Sequence, residues 1–391
     1  MQEVYIANAK RTAVGSFLKS LSEISAPKLG AHVIKAILAE SKLDPKVIDE
    51  VILGQVITGG SGQNPARQTS IYSGLPIELP AVTINKVCGS GIKSIVFAAN
   101  AIKADQAGLI IAGGQENMSL GMHGNYIRGG NKFGDAKLID FMMYDGLTDV
   151  FSGQMMGITA ENIVKKFGID RISQDTLALN SQLKAAKAQE QGKFKEEIVP
   201  IKIDKKNESF VFDQDEGIRG NSTMDGLAKL KPAFAADGSV TAGNSSTIND
   251  GAAALIVASG QMIKTQGLTP LARIVSYASC GVDPDIMGTG PIPASKLALK
   301  KAGWNVDDLD LIEVNEAFAA QAEYVNRQME WDINKVNVCG GAISLGHPIG
   351  ASGTRLVVTL LHEMKRSKAK KALVTLCIGG GMGIAMCLER S

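Results

Sequence analysis

The stretch Ala81-Val-Thr-Ile-Asn-Lys-Val-Cys-Gly-Ser-Gly91 decides the fold. Its first seven residues alternate in polarity, which predicts a strand, and apolar residues at helical spacing begin at Ile92. The apolar run from Leu109 to Gly114 is typical of a buried parallel strand. Together these segments predict a βαβ unit in an α/β protein, with Cys88 at the turn between strand and helix.

The C-terminal half repeats this plan. Residues 335–341 are predicted to form a strand, a helix opens at Gly350-Ala-Ser-Gly353, and residues 372–380 return as another strand. Two similar apolar segments, 49–54 and 310–315, precede the two units at nearly equal distances. The repetition indicates an internal duplication that produces paired domains rather than a solenoid.

Composition excludes several classes of protein. The chain has 41 basic and 39 acidic residues and contains no long run of either charge, which argues against nucleic-acid partners and a polybasic membrane tether. No apolar run approaches the roughly 18 residues that span a bilayer, and the N-terminus does not resemble a signal peptide. We therefore expect a cytoplasmic protein without a membrane partner.

The five cysteines are widely spaced and odd in number, which favours reduced thiols over a disulfide framework. No spacing typical of a zinc site occurs, so no metal is expected. Two of these cysteines precede glycine-rich turns and are the candidates for chemistry. The others are interpreted as structural, although Cys339 is near enough to the loop around His347 to support it: Cys280, Cys339 and Cys387.

Cys88 is the candidate nucleophile. At a helix N-terminus the backbone N–H groups and the helix dipole lower the pKa of a thiol and favour the thiolate. A small buried core cysteine is an equally good interpretation of the position alone. The following Gly-Ser-Gly favours function, because we expect those glycines to let backbone amides approach a substrate.

His347 is the candidate base. It lies in Gly346-His-Pro-Ile-Gly350, a setting typical of an irregular loop, and a neutral imidazole there could take a thiol proton. A satisfied structural histidine is the alternative. His32 and His362 fall on amphipathic helices and are predicted to be solvated, and His123 lies in a glycine-rich segment.

Two further segments could complete such a site. Cys377 ends an apolar strand before Gly379-Gly-Gly381, whose amides could form an oxyanion hole, although a core cysteine is an alternative. Asn315 and Glu316 follow another apolar run, and the carboxyl ends of strands are where open α/β sheets bind ligands. An ordinary helix N-terminus is the alternative for that pair.

These residues, in this order, resemble the thiolase family, and most closely its biosynthetic branch. The similarity runs end to end and is carried by seven motifs: Lys10-Arg-Thr-Ala-Val-Gly, Val87-Cys-Gly-Ser-Gly-Ile, Gly113-Gly-Gln-Glu-Asn-Met-Ser, Met287-Gly-Thr-Gly-Pro-Ile-Pro, Asn315-Glu-Ala-Phe, Gly346-His-Pro-Ile-Gly-Ala-Ser-Gly and Cys377-Ile-Gly-Gly-Gly-Met-Gly.

The resemblance implies a thiolase fold, in which two βαβαβαββ halves pack into five layers, αβαβα, with a loop domain inserted in the first half. On this basis the N-terminal half spans 1–117 and is completed by 249–269. The loop domain spans 118–248, and the C-terminal half spans 270–391.

The resemblance also implies a reaction: reversible Claisen condensation of two acetyl-CoA to acetoacetyl-CoA and CoA. Cys88 would carry the acetyl group, His347 would activate it, and Cys377 would remove the α-proton of the second acetyl-CoA. Asn315 would hold a water that forms one oxyanion hole with His347, and the amides of Cys88 and Gly379 would form the other. No cofactor is implied, since coenzyme A is substrate and product.

Substrate contacts follow from the same resemblance. Ser246 would contact the pantetheine and Arg219 the nucleotide end, although the chain departs from its relatives around Gly220. The tunnel for pantetheine and acyl chain would be lined by Leu147, Met156, Phe234, Met287, Ala317 and Phe318. The glycine-rich segment 121–140 resembles the loop through which biosynthetic members form homotetramers, as dimers of dimers.

Met155 departs from the short-chain biosynthetic pattern, which has histidine there; methionine is common in degradative relatives. Met155 therefore leaves open a 3-ketoacyl-CoA thiolase of broader chain length, within the same reaction class. Two alternatives from other classes are a non-catalytic acyl-CoA or lipid-binding relative and a cysteine hydrolase that releases free acetate. Retention of Cys88, His347 and Cys377 argues against the non-catalytic alternative.

Overall fold

The computed structural model describes residues 2–205 and 208–390. Its strands are β1 Val4–Arg11, β2 Gly15–Ser16, β3 Glu50–Gly54, β4 Ala81–Ile84, β5 Leu109–Asn117, β6 His123–Gly124, β7 Ile139–Asp140, β8 Ile201–Lys205, β9 Glu208–Phe212, β10 Asn249–Ser259, β11 Ala272–Gly281, β12 Leu311–Val314, β13 Lys371–Ile378 and β14 Met382–Glu389. Its α-helices are α1 Ala26–Ser41, α2 Pro65–Tyr72, α3 Ser90–Lys103, α4 Met156–Phe167, α5 Arg171–Glu190, α6 Met224–Ala228, α7 Gly260–Thr265, α8 Pro291–Ala302, α9 Ala319–Met329, α10 Ala342–Leu345 and α11 Ile349–Ser367.

The main sheet has the strand order β12-β13-β14-β11-β1-β10-β5-β3-β4, with β2 paired to β10. Outward from the central β1–β11 pair, each half places one antiparallel strand, then strands that run parallel to one another. The predicted duplication and α/β class are thus visible in the strand order. β10 lies between β1 and β5, inside the N-terminal half. The predicted domain boundaries remain a prediction.

Three apolar clusters fill the space between the layers. The central cluster joins α3 and α11 to the inner faces of strands from both halves. A second joins α1 to the outer face of the N-terminal strands, and a third joins α8 and α9 to the outer face of the C-terminal strands. The order helix, sheet, helix, sheet, helix agrees with the predicted five layers.

The strand predicted at residues 335–341 is wrong. Only Val336 pairs with the sheet, through an isolated parallel bridge to Ile312. The chain then turns, because Asn337 has φ 45° and Gly340 has φ 82°, and both are incompatible with an extended strand. This segment occupies the place in the C-terminal half that β4 has in the other.

The segment between β5 and β10 carries two small hairpins, β6–β7 and β8–β9. The predicted helical stretch 157–192 is two helices, α4 and α5, because Gly168 ends α4 in the left-handed conformation at φ 66°. Within the described ranges, no helix is both long and apolar enough to cross a membrane.

Candidate active site

Cys88 lies at the turn between β4 and α3, as predicted. The turn is strained, since Val87 has φ 47°, a conformation that β-branched residues rarely adopt. Local hydrogen bonds stabilise it: Val87 N–H donates to Asn85 Oδ1 at 2.8 Å, and Ser90 Oγ donates to Val87 O at 2.7 Å. The thiol is therefore held at a fixed place immediately before the first turn of α3.

The predicted low pKa of Cys88 is wrong. Protein atoms surround this side chain, although it borders a cavity, and burial raises the pKa of the thiol to about 11. The backbone N–H groups of Gly379 and of Cys88 itself favour the thiolate and oppose that rise. Cys88 is thus a thiol at neutral pH and needs a base.

His347 lies two residues before Ile349, the first residue of helix α11. Gly346 has φ 100°, which permits the sharp entry, and His347 N–H donates to Asn249 Oδ1 at 2.8 Å. The ring is buried; Nδ1 is 2.5 Å from Ser352 Oγ and Nε2 is 3.4 Å from the side-chain nitrogen of Asn315. Burial, and secondly the charge of Arg355, lower the pKa of His347 to about 4, so the imidazole is neutral.

Asn315 and Glu316 separate in the structure. Asn315 follows β12 and faces His347, and among the described residues its buried Oδ1 has no hydrogen-bond partner. Glu316 points elsewhere and accepts hydrogen bonds from Ser181 Oγ and the side chain of Asn337, each at 2.7 Å. Helix α9 begins only at residue 319, so the pair is not an ordinary helix N-terminus.

Cys377 lies on β13 and is fully buried. Burial, and secondly the nearby Cys88, raise the pKa of its thiol far above the usual range. Beyond it, a Cβ atom at Gly379 would lie 3.4 Å from Val87 Cγ1, so the backbone of this turn passes directly beside the Cys88 turn. Strands β13 and β14 are joined by Gly380 and Gly381, both at φ 81°.

Cys88 and His347 border one cavity of about 580 Å³. Its wall is mainly apolar, which is typical of a site for a small organic ligand. Every residue that the resemblance assigned to substrate contact lines it: Leu147, Met156, Arg219, Phe234, Ser246, Met287, Ala317 and Phe318. Cys377 belongs to the apolar cluster that contains the lining residues Met287 and Phe318.

Contacts between the lining residues hold the cavity wall together. The rings of Phe234 and Phe318 meet edge to face at 5.9 Å between centroids. Ser246 N–H donates to Ala317 O at 3.0 Å, which connects the loop after α6 to the segment that follows β12. Met155, just before α4, also lines the cavity and is 43% exposed.

The glycines around Cys88 and His347 have a packing role that the sequence analysis did not predict. A Cβ atom at Gly91 would lie 2.5 Å from Thr354 N, and one at Gly353 would lie 2.6 Å from Ile92 N. These glycines let α3 and α11 cross with their backbones in contact. Gly91 was expected to let a backbone amide approach a substrate, and it packs against the backbone of Thr354 instead.

Three polar residues of the site were missed. Ser352 contacts the ring of His347, and Asn249 holds the His347 backbone. Glu116 accepts N–H bonds from Val56, Ile57 and Gly350, and burial raises the pKa of its carboxyl to about 7. Two of the three could have been identified from the sequence, because Ser352 and Glu116 lie inside motifs that carry the family resemblance.

Two other sequence interpretations need correction. His362 is buried, not solvated: its Nε2 is 3.0 Å from Ala9 O, and burial lowers the pKa of the ring. Cys339 does not support the His347 loop, since its thiol donates to Glu363 Oε2 at 3.4 Å inside an apolar cluster. His32 contacts Pro200 O, and His123 lies 3.8 Å from Asp140.

Residues 4–261 match the family described as thiolase, N-terminal domain, and residues 268–390 match thiolase, C-terminal domain. The chain belongs to the thiolase family. Two relatives named acetyl-CoA acetyltransferase, from Cupriavidus necator and Pseudomonas aeruginosa, are each 58% identical over 394 residues and are covered from end to end, as is this chain.

Two solved structures of this thiolase fold are equally similar to the chain. The acetyl-CoA acetyltransferase of Bacillus anthracis and the human mitochondrial 3-ketoacyl-CoA thiolase each have a TM-score of 0.97 and 42% identity. Each comparison covers 100% of this chain and 99% of the other. The fold is therefore that of both kinds of thiolase and does not distinguish between them.

Proposed function

We propose that this chain is an acetyl-CoA C-acetyltransferase that condenses two acetyl-CoA to acetoacetyl-CoA and CoA, reversibly, through an acetyl-Cys88 intermediate. One observation carries the proposal: a thiol and a neutral imidazole, Cys88 and His347, border the same apolar cavity, beside the buried thiol of Cys377. Covalent attachment of the first acetyl group to the enzyme splits a difficult reaction into two easier steps.

In the first step His347 takes the proton of Cys88, and the sulfur attacks the thioester carbonyl of acetyl-CoA. The amides of Cys88 and Gly379, which favour the thiolate form of Cys88, would stabilise the oxyanion. The bond from carbonyl carbon to coenzyme A sulfur breaks, and Cys377 gives its proton to the departing CoA thiolate. The products are acetyl-Cys88, protonated His347, the Cys377 thiolate and CoA.

In the second step the Cys377 thiolate takes the α-proton of another acetyl-CoA. Its burial makes that thiolate a strong base, as its raised pKa indicates. His347, now protonated, and a water held by Asn315 stabilise the enolate, which attacks acetyl-Cys88 to form the carbon–carbon bond. The Cys88 thiolate leaves and recovers the proton from His347, so no cofactor is consumed.

The preference for acetoacetyl-CoA is supported by relatives at 52–58% identity over nearly the whole chain, which are all named acetyl-CoA acetyltransferase. The second candidate, a thiolase of broader chain length, is favoured by Met155, which faces the cavity.

Because both catalytic cysteines must stay reduced, we place the enzyme in the cytoplasm.

We also propose that the enzyme is a homotetramer, a dimer of dimers, which needs two kinds of interface. Segment 121–140 exposes large apolar side chains, including Tyr126 at 84% and Phe133 at 94%. A second apolar group lies on and around edge strand β4, and it includes Ile77 and Val82. Several large apolar side chains exposed in one segment favour protein–protein contact.

The test is a product analysis after incubation with acetyl-CoA alone. The proposal predicts equal amounts of acetoacetyl-CoA and CoA, and no free acetate. Free acetate formed in the same amount as CoA would support a hydrolase instead. Binding of acetyl-CoA without formation of any product would support a non-catalytic binding protein.

A further inference from the structure

The hydroxyl of Ser352 makes two hydrogen bonds in the first turn of α11. Ser352 is 1% exposed, so water does not compete for its Oγ. That atom lies 2.8 Å from the carbonyl oxygen of Pro348 and 2.5 Å from Nδ1 of His347. Both contacts lie within six residues of chain, in a turn that packs against α3.

The protons in this chain of contacts can be counted. A carbonyl oxygen has none to give, so Ser352 Oγ–H must donate to Pro348 O. A hydroxyl carries a single proton, and Ser352 can therefore only accept at its second contact. Nδ1 of His347 must be the donor, and it carries a hydrogen.

The protonation state of the other ring nitrogen, Nε2, follows from that of Nδ1. Because the buried ring is neutral, one nitrogen holds the hydrogen and the other presents a lone pair. With the hydrogen on Nδ1, the lone pair is on Nε2, and the Nδ2 donor of Asn315 lies 3.4 Å from it. The contacts on both sides of the ring agree on this tautomer.

We propose that Ser352 is a positioning residue that fixes the tautomer of His347, so that Nε2 presents its lone pair to the thiol of Cys88. The role rests on the proposed function for its use in catalysis. Once Nε2 has taken the thiol proton, both ring nitrogens carry hydrogens, and Nε2–H can donate to a developing oxyanion. Ser352 thus lets one nitrogen serve first as base and then as donor.

The first test needs no substrate. Magic-angle-spinning ¹⁵N NMR of protein labelled at its four histidines distinguishes protonated from bare ring nitrogens, and His347→Gln identifies the signals of His347. The unmodified protein should show a protonated Nδ1 and a bare Nε2, whereas Ser352→Ala should show a mixture. A protonated Nε2 in the unmodified protein, or an unchanged population in the variant, would overturn the proposal.

The second test separates a role through His347 from a general effect on the fold. Ser352→Ala should slow acetylation of Cys88 by about 10–100-fold, less than the loss of the whole base. It should add nothing in a His347→Ala background, because the two residues act as one unit. Additive losses would overturn the proposal.

Thr354→Val is the matched control. Thr354 is a fully buried residue on the same helix, and its hydroxyl has no partner among the described residues. Its loss should leave the acetylation rate and the tautomer unchanged. If Thr354→Val slowed acetylation as much as Ser352→Ala, the effect would belong to helix packing, and the proposed role would be wrong. Absence of acetoacetyl-CoA with the expected NMR signals would refute the proposed function alone.

Discussion

Gly91 and Gly353 bring the first turns of α3 and α11 into backbone contact. Neither position has room for a Cβ atom, which would lie 2.5 Å and 2.6 Å from the nearest backbone nitrogen. Cys88 lies three residues before Gly91, and His347 lies six residues before Gly353. The helix crossing therefore determines that a nucleophile from one half and a base from the other border the same cavity.

Gly91→Ala should destabilise the protein by about 1–3 kcal/mol through overpacking and should reduce activity by displacing Cys88. Urea denaturation and acetoacetyl-CoA thiolysis measure the two effects. Gly260→Ala is the control, since a Cβ atom there would make only an ordinary contact, 3.5 Å from the ring of Tyr5. Equal stability of the Gly91 and Gly260 variants would contradict the backbone contact at the crossing.

The pH dependence of Cys88 acetylation should lack the inflection near pH 6.5 that an ordinary histidine gives. His347 has a folded pKa of about 4 and Cys88 one of about 11, so the thiol and neutral imidazole coexist between those values. The acetylation rate should be flat from about pH 5 to pH 9. In His347→Ala the rate should be low and rise with pH towards 11, because only free thiolate then reacts. An inflection near 6.5 in the unmodified enzyme would show that His347 is not buried as described.

The same burial of His347 makes a contribution to stability that depends on pH. Between pH 6.5 and about 4 the unfolded chain binds a proton at this histidine that the folded chain does not. This group therefore lowers the free energy of unfolding as the pH falls through that window. Denaturation of His347→Gln across the window should show a weaker loss of stability in acid, and an identical profile would contradict the lowered pKa.

The preference of the enzyme for the acyl-chain length of its substrate should depend on Met155. One methylene is worth about 1–3 kcal/mol in a pocket, roughly 10–200-fold, so size selection is weak. Acetoacetyl-CoA should be the best substrate and the six-carbon 3-ketoacyl-CoA a slower one, and Met155→His should widen the gap. Values of kcat/KM that are equal or higher for eight-carbon substrates would favour the degradative alternative.

Deletion of residues 121–140 should convert tetramers to dimers, because it removes the exposed apolar side chains of that segment, and should leave both halves folded. Light scattering measures the mass and circular dichroism the fold. The point variant Phe133→Ser, at a side chain that is 94% exposed, is a milder change in the same direction. An unmodified protein that is monomeric at micromolar concentration would contradict the tetramer.

Local pattern predicted most of the framework. The alternating polarity before Cys88 and the apolar residues at helical spacing after it correctly predicted β4 and α3, and the apolar run at 109–114 predicted β5. The same reasoning failed at 335–341, where Val336 and Val338 alternate as in a strand but Asn337 turns the chain. A left-handed conformation at asparagine is decided by its tertiary contacts, here the bonds of its side chain to Val314, and so left no local signal.

Electrostatic properties were the least predictable from sequence. The helix N-terminus at Cys88 predicts a low pKa, but the depth of the surrounding layers decides the outcome, and burial prevails. His362 was misinterpreted for the same reason, since β1 covers it from a distant part of the chain. Ser352 was missed although it lies inside one of the family motifs, because only the turn between His347 and Ser352 brings its hydroxyl to the ring.

The reaction of Cys377→Ala with acetyl-CoA, followed by digestion and mass spectrometry, tests most directly whether Cys88 carries the acetyl group and Cys377 is the base of the second step. We expect an acetyl group on the peptide that contains Cys88, formed more slowly because CoA then departs without a proton from Cys377. We expect no acetoacetyl-CoA, because the base for the second step is missing. Acetylation of a different residue, or condensation at nearly the unmodified rate, would contradict these assignments.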